Sequence, residues 1–272
     1  MKRTIMLLLL SLSVLLSLFA CRNTEEHPNG EEDKDEEEPP HFSSYSEVTS
    51  SLSAEESESA ERRLCVCIDA GHQKKGIPEK EPNGPGSDVL KAKLSSGTVG
   101  VSTKIPEYVL TLEVSLMLKD ELVSRGYEVV MIREDHDCPM SNAERAIAAN
   151  ESGADIFIRI HANGSSDPSI KGALTCAPTE KNEFLSPQVI KESIRLSHAV
   201  LEGLCGSTGA ESRGIYGTDT MTGINWCMIP VTIVEMGYMS NAEEDELMAT
   251  EEYRRMIVSG IADGTDSFFG IG

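Results

Sequence analysis

Five short apolar runs alternate with segments of helical periodicity, and this rhythm limits the folds open to the 272-residue chain. The runs are "LCVCIDA" (Leu64 to Ala70), "YEVVMI" (Tyr127 to Ile132), "ADIFIRI" (Ala154 to Ile160), "GALTC" (Gly172 to Cys176) and "IPVTIVE" (Ile229 to Glu235). Each has the length of a buried strand. Between the first two, Glu107 to Arg125 carries Leu110, Val114, Met117, Leu118 and Leu122 on one helical face, and Gly126 stops it. Ser141 and Glu144 have capping-box spacing and open a helix that Gly153 closes. Ser186-Pro187 begins another, running to about Leu204, and Thr250 caps a last one running toward Asp266. This order predicts an α/β fold: a mainly parallel, twisted sheet with helices on both faces, built as a single domain over residues 61–272.

Parallel sheets expose their functional groups beyond the carboxyl ends of the strands. Here Ala70-Gly71-His72 follows the first run, His161 follows the third, and Glu235 ends the last. A lone histidine at a strand tip is more often structural than functional. Two histidines and a carboxylate converging on one sheet edge point instead to a metal centre. Two imidazoles suit one zinc ion per chain, whose catalytic sites take three protein ligands and keep a fourth position open. Glu107 is a candidate third ligand, and equally an acidic residue favoured near a helix N-terminus.

The N-terminal sixty residues are of another kind. Met1-Lys2-Arg3 precedes an apolar stretch from Ile5 to Phe19, too short for a membrane span of about twenty residues. Leu18-Phe19-Ala20-Cys21 then resembles a bacterial lipobox. Residues 1–20 read as a lipoprotein signal peptide and Cys21 as the lipidated residue, which implies export and a membrane anchor facing the cell wall. Residues 21–60, with "EEDKDEEEPP", carry about −11 of the chain's net charge of −21 and read as a disordered acidic tether. An acidic domain is a poor ligand for nucleic acid. Cys65, Cys67, Cys138, Cys176, Cys205 and Cys227 form no metal spacing and read mostly as buried free thiols, with one bridge left open.

Five blocks occur in order: "CIDAGHQ" at 67–73, "PEYVLTLEVSLMLKDEL" at 106–122, "NAERAIAAN" at 142–150, "IRIHANGS" at 158–165 and "VTIVEMGYMSN" at 231–241. Together they resemble the zinc-dependent N-acetylmuramoyl-L-alanine amidases of the amidase-3 type, over nearly all of residues 64–268. The resemblance implies zinc held by His72, Glu107 and His161, with Glu235 as the catalytic glutamate. It implies hydrolysis of the amide between N-acetylmuramic acid and L-alanine in peptidoglycan. Ala70 stands where the family usually has proline, Gln73 where it has glycine, and Thr111 where asparagine is common. The stretch from Gln73 to Pro106 is longer than the family pattern. No extra segment like the inhibitory helix of some members lies between His161 and Glu235.

Asn163 is read either as a substrate contact or as a loop cap. His136 sits in a polar turn, and His198 on a helix without an acidic or histidine partner at ligand spacing. "GIYGTDTMTGINW" (Gly214 to Trp226) and the Gln73 to Pro106 stretch are candidates to border a cleft, or ordinary surface loops. Two competing readings remain at this level: a wall-binding module on the same fold, and a zinc peptidase cutting within the stem peptide.

Overall fold

The computed structural model describes residues 62–271. The signal peptide, Cys21 and the acidic tether lie outside the described residues.

A six-stranded sheet runs in the order β4-β1-β5-β8-β6-β7. Its strands are β1 (Cys65–Ala70), β4 (Glu128–Met131), β5 (Ile156–Asn163), β6 (Ala173–Ala177), β7 (Ser212–Gly217) and β8 (Val231–Tyr238). β4, β1, β5 and β8 are mutually parallel. β6 pairs antiparallel with β8 and carries β7 parallel to itself at the edge. The expected mainly parallel sheet is thus found, with four contiguous parallel strands from the β4 edge to β8, and the last two reverse direction.

Alternation along the strands separates two cores. Val66 and Ile68 of β1 and Ile156, Ile158 and Ile160 of β5 face α1 (Glu107–Ser124), α3 (Pro187–Thr208) and α6 (Glu251–Phe269). Cys65 and Cys67, with Phe157, Cys176 and Val231, face the smaller layer of α2 (Asn142–Glu151) and α4 (Thr222–Asn225). All six described cysteines are free. Burial raises the thiol pKa of Cys67, and that of Cys176 to about 12, so both pack as small hydrophobes. α3 and α6 meet backbone to backbone: a β-carbon at Gly203 would lie 2.2 Å from the Gly260 carbonyl oxygen.

Caps follow the sequence. Ser141 and Glu144 form a reciprocal capping box on α2, and Ser186 and Thr250 cap α3 and α6. α5 (Ala242–Met248) is an additional helix, capped by Asn241. The long stretch after His72 holds an antiparallel hairpin, β2 (Ile77–Pro82) and β3 (Leu90–Leu94). It is clasped to the α4 region: the Trp226 indole donates to the Pro82 carbonyl at 3.0 Å, and the Asn225 amide to that of Asn83 at 3.0 Å. Among the described residues no helix is long and apolar enough to cross a membrane.

Candidate active site

β5 continues three residues beyond the expected end, so His161 lies within a strand rather than after it. Its register partner on β8 is Glu235. His72 occupies the turn after β1, and Glu107 is the first residue of α1. Asp69, Arg159, His161 and Glu235 all project from the sheet face that bears α2 and α4, because each shares strand parity with the residues of that smaller core.

Three atoms define the centre. His72 Nε2 lies 3.1 Å from Glu107 Oε1 and 3.2 Å from His161 Nδ1, which is 3.2 Å from Glu107 Oε1. Bonds of 2.0–2.1 Å from a tetrahedral zinc ion place ligand atoms about 3.3–3.4 Å apart, so the triangle fits that ion. The donor chemistry agrees. His72 Nδ1 lies 2.9 Å from the Ser95 carbonyl oxygen, which can only accept. Nδ1 therefore carries the proton, and Nε2 turns its lone pair to the centre. His161 Nε2 is buried without a hydrogen-bond partner. Burial pushes the His161 pKa down to about 4, against the pull of Glu107, which keeps the ring neutral at pH 7. Burial opposes ionisation of Glu107, but the neighbouring His161 and His72 rings outweigh it and hold the carboxyl well below its usual range. A neutral His161 imidazole and an ionised Glu107 carboxylate are the protonation states a metal requires.

A set of buried arginines, unread in the sequence, supports His72. Its backbone is left-handed at φ 59, a conformation costing about 1–2 kcal/mol in a non-glycine residue. Arg145, with no exposed surface, donates to the carbonyls of Ala70 and His72, each at 3.1 Å, and forms an ion pair with Asp69 at 2.6 Å. Arg133 donates to the carbonyls of Ala70 at 2.7 Å and Gly71 at 3.0 Å. Two of the departures from the family pattern join this set. Thr111 Oγ1 donates to the Gly71 carbonyl at 2.8 Å, and Gln73 Oε1 accepts from Arg145 at 3.1 Å. Gly71 and Gly97 let backbone approach the ligands: a β-carbon would lie 2.4 Å from the His161 ring at the first and 2.8 Å from Glu107 Oε2 at the second.

Glu235 lies beside this centre in a groove of about 360 Å³, whose lining includes Lys91 and Ser95 from the hairpin region and Thr220 to Gly223. Both sequence stretches proposed to border a cleft therefore contribute to it. A larger depression of about 700 Å³, between α1 and α6, contains none of the site residues. Asn163 does not line the groove. Its carboxamide oxygen accepts from the Gly164 backbone N–H at 2.8 Å, the loop-capping role. His136 is exposed, and His198 pairs with Glu202 one turn on at 3.8 Å, correcting the expectation that it has no acidic neighbour.

Burial, and secondly the charge of Glu107, raise the Glu235 pKa from 4.5 to about 8. The folded state therefore binds this proton more tightly than the unfolded state. Its stability falls as pH rises from about 4.5 to about 8 and levels off above. In chelated protein, Glu235→Gln is expected to raise Tm by about 5 °C at pH 8.5 and to leave it nearly unchanged at pH 4. Thermal melts at the two pH values test this; equal shifts at both would refute it.

Comparison with known proteins agrees with this geometry. The family profile described as N-acetylmuramoyl-L-alanine amidase matches residues 66–267. The N-acetylmuramoyl-L-alanine amidase Rv3717 of Mycobacterium tuberculosis is 26% identical over 211 residues, covering 75% of this chain and 86% of that protein. The uncharacterized protein YqiI of Bacillus subtilis is 28% identical over 174 residues, covering 64% and 79% respectively. The crystal structure of the amidase Ami1 from Mycobacterium smegmatis shares the fold, with a TM-score of 0.68 at 24% identity over 77% of this chain and 98% of that one.

Proposed function

The chain belongs to the N-acetylmuramoyl-L-alanine amidase family, and we propose on that premise that it hydrolyses the amide between N-acetylmuramic acid and L-alanine of peptidoglycan with one zinc ion and Glu235 as general base. The observation that carries this reading is the triangle of His72 Nε2, His161 Nδ1 and Glu107 Oε1 beside Glu235. Those three atoms would hold the ion. When bound, zinc supplies a Lewis acid and lowers the pKa of water toward about 7.

The chain's own residues handle the proton. A Glu235 carboxylate oxygen accepts it from the water that adds to the scissile carbonyl carbon. As the carbon–nitrogen bond breaks, the same group returns it to the leaving amine. The products are the muramic lactyl carboxylate and a peptide with a free N-terminal alanine. One carboxyl group thus serves first as base and then as acid. The reading extends to an exported protein tethered through lipidated Cys21, supported by the basic, apolar and Ala20-Cys21 pattern of the N-terminus.

Incubation with peptidoglycan is expected to release stem peptides beginning with L-alanine, lost on chelation and restored by zinc. Mass spectrometry reads the bond: fragments cut within the stem peptide would point to a peptidase, and intact muropeptides from zinc-loaded protein would refute both. Cys21→Ala is expected to move the full chain from the detergent to the aqueous phase of a partitioning assay. Unchanged partitioning would refute the anchor.

A further inference from the structure

We propose that Arg159 binds a substrate carboxylate, borne by the second residue of the departing peptide, and so sets which peptides the groove accepts; this rests on the amidase reading above. Arg159 precedes His161 by two residues on β5 and projects from the same face. Its guanidinium is only partly used by the protein. Nε donates to Asp69 Oδ2 at 2.9 Å, and Nη2 to Asn142 Oδ1 at 2.9 Å. Nη1 has no hydrogen-bond partner among the described residues, yet Arg159 lines the groove. The face that Nη1 meets is bare backbone: a β-carbon at Gly223 would lie 1.6 Å from it. Arg159 is 2% exposed as a residue, yet Nη1 does not belong with the sealed polar atoms that lack a partner, so this donor keeps a path to the groove.

Charge and length agree on the ligand. Lys91 of β3 lines the same groove, and the lysines ion-paired among the described residues are Lys119 and Lys171 instead. Glu235 lines the groove too, and Asp69 beneath Arg159 is shared with Arg145, so Lys91, Arg159 and Arg145 outnumber the two carboxylates and favour an anion there. Two residues of strand set the Cα atoms of Arg159 and His161, whose side chains leave the same face, about 6.8 Å apart. Two residues of extended peptide span about 7 Å. With the scissile carbonyl at the ligand triangle, a carboxyl carbon on the second residue of the leaving peptide reaches the guanidinium, which carboxylates meet with charge-assisted hydrogen bonds.

The test measures binding, so that it stands apart from catalysis. Zinc-loaded full-length Glu235→Gln protein is titrated calorimetrically with N-acetylmuramoyl dipeptide bearing either a free carboxylate or a carboxamide on its second residue. The carboxylate is expected to bind about tenfold more tightly. Adding Arg159→Met should bring the ratio near one. Adding Gly223→Ala, which displaces Nη1 and keeps the charge, should lower it as well and serves if the first variant fails to fold. Equal affinities with Arg159 intact, no binding of either ligand, or a ratio unmoved by both variants would overturn the proposal. Cleavage of either ligand by the unsubstituted protein tests the amidase reading separately.

Discussion

Glu235→Gln is expected to lower kcat on peptidoglycan by roughly 100- to 10,000-fold, the contribution of a positioned general base, while leaving a folded protein that still takes up zinc. The substitution keeps the shape of the side chain and removes its capacity to accept a proton. His72, Glu107 and His161 are untouched, so zinc stoichiometry should stay at one per chain. KM should change little, because the groove walls from the hairpin and from Thr220 to Gly223 do not depend on this carboxyl. Steady-state kinetics with a zinc assay on the same sample check the prediction. A variant keeping more than a tenth of the activity would remove Glu235 from the mechanism.

A second large effect is expected at a residue that does not itself line the groove. Arg145→Met should destabilise the protein by about 3–5 kcal/mol, the cost of breaking a buried ion pair, which lowers Tm by about 10 °C. Asp69 and Arg145 are both fully buried, and the variant leaves Asp69 with Arg159 alone. It also frees the His72 carbonyl and leaves that of Ala70 to Arg133 alone, so the left-handed turn at His72 loses part of its support. Zinc affinity should therefore fall about 10- to 100-fold, as for other outer partners of metal ligands. Thermal melts and competition with a chelating dye read the two effects. Wild-type values for both would show that Arg145 is dispensable to the turn.

The four central residues were legible because chemistry and topology coincide in them. His72, His161 and Glu235 stand at or near the ends of the most apolar runs, and Glu107 opens the most regular helix. What escaped the sequence has identifiable physical causes. β6 has the composition of any buried strand, and nothing local encodes that it runs against β8. β7 is an exposed edge without alternation, α5 is short and acidic, and β2 and β3 lie among prolines and glycines. The buried arginines were invisible for a different reason. A charged residue is ordinarily expected at the surface, and only the fold reveals that Arg133, Arg145 and Arg159 lie beneath it. One signal existed in retrospect: Arg159 breaks the apolar run Phe157 to Ile160 on the face that also carries His161.

The strand order also decides when the enzyme comes into being. Among the described residues β8 is the last strand in chain order, yet it lies between β5 and β6 and is the strand through which the β4-β1-β5 half of the sheet pairs with the β6-β7 half. It also brings Glu235 to His161, a partner made 74 residues earlier. A nascent chain can assemble the metal ligands of the first half and still hold no proton acceptor beside them. A chain that stops short of Val231 lacks both the strand that pairs with β5 and β6 and Glu235 itself, so joining the sheet and completing the groove are one event.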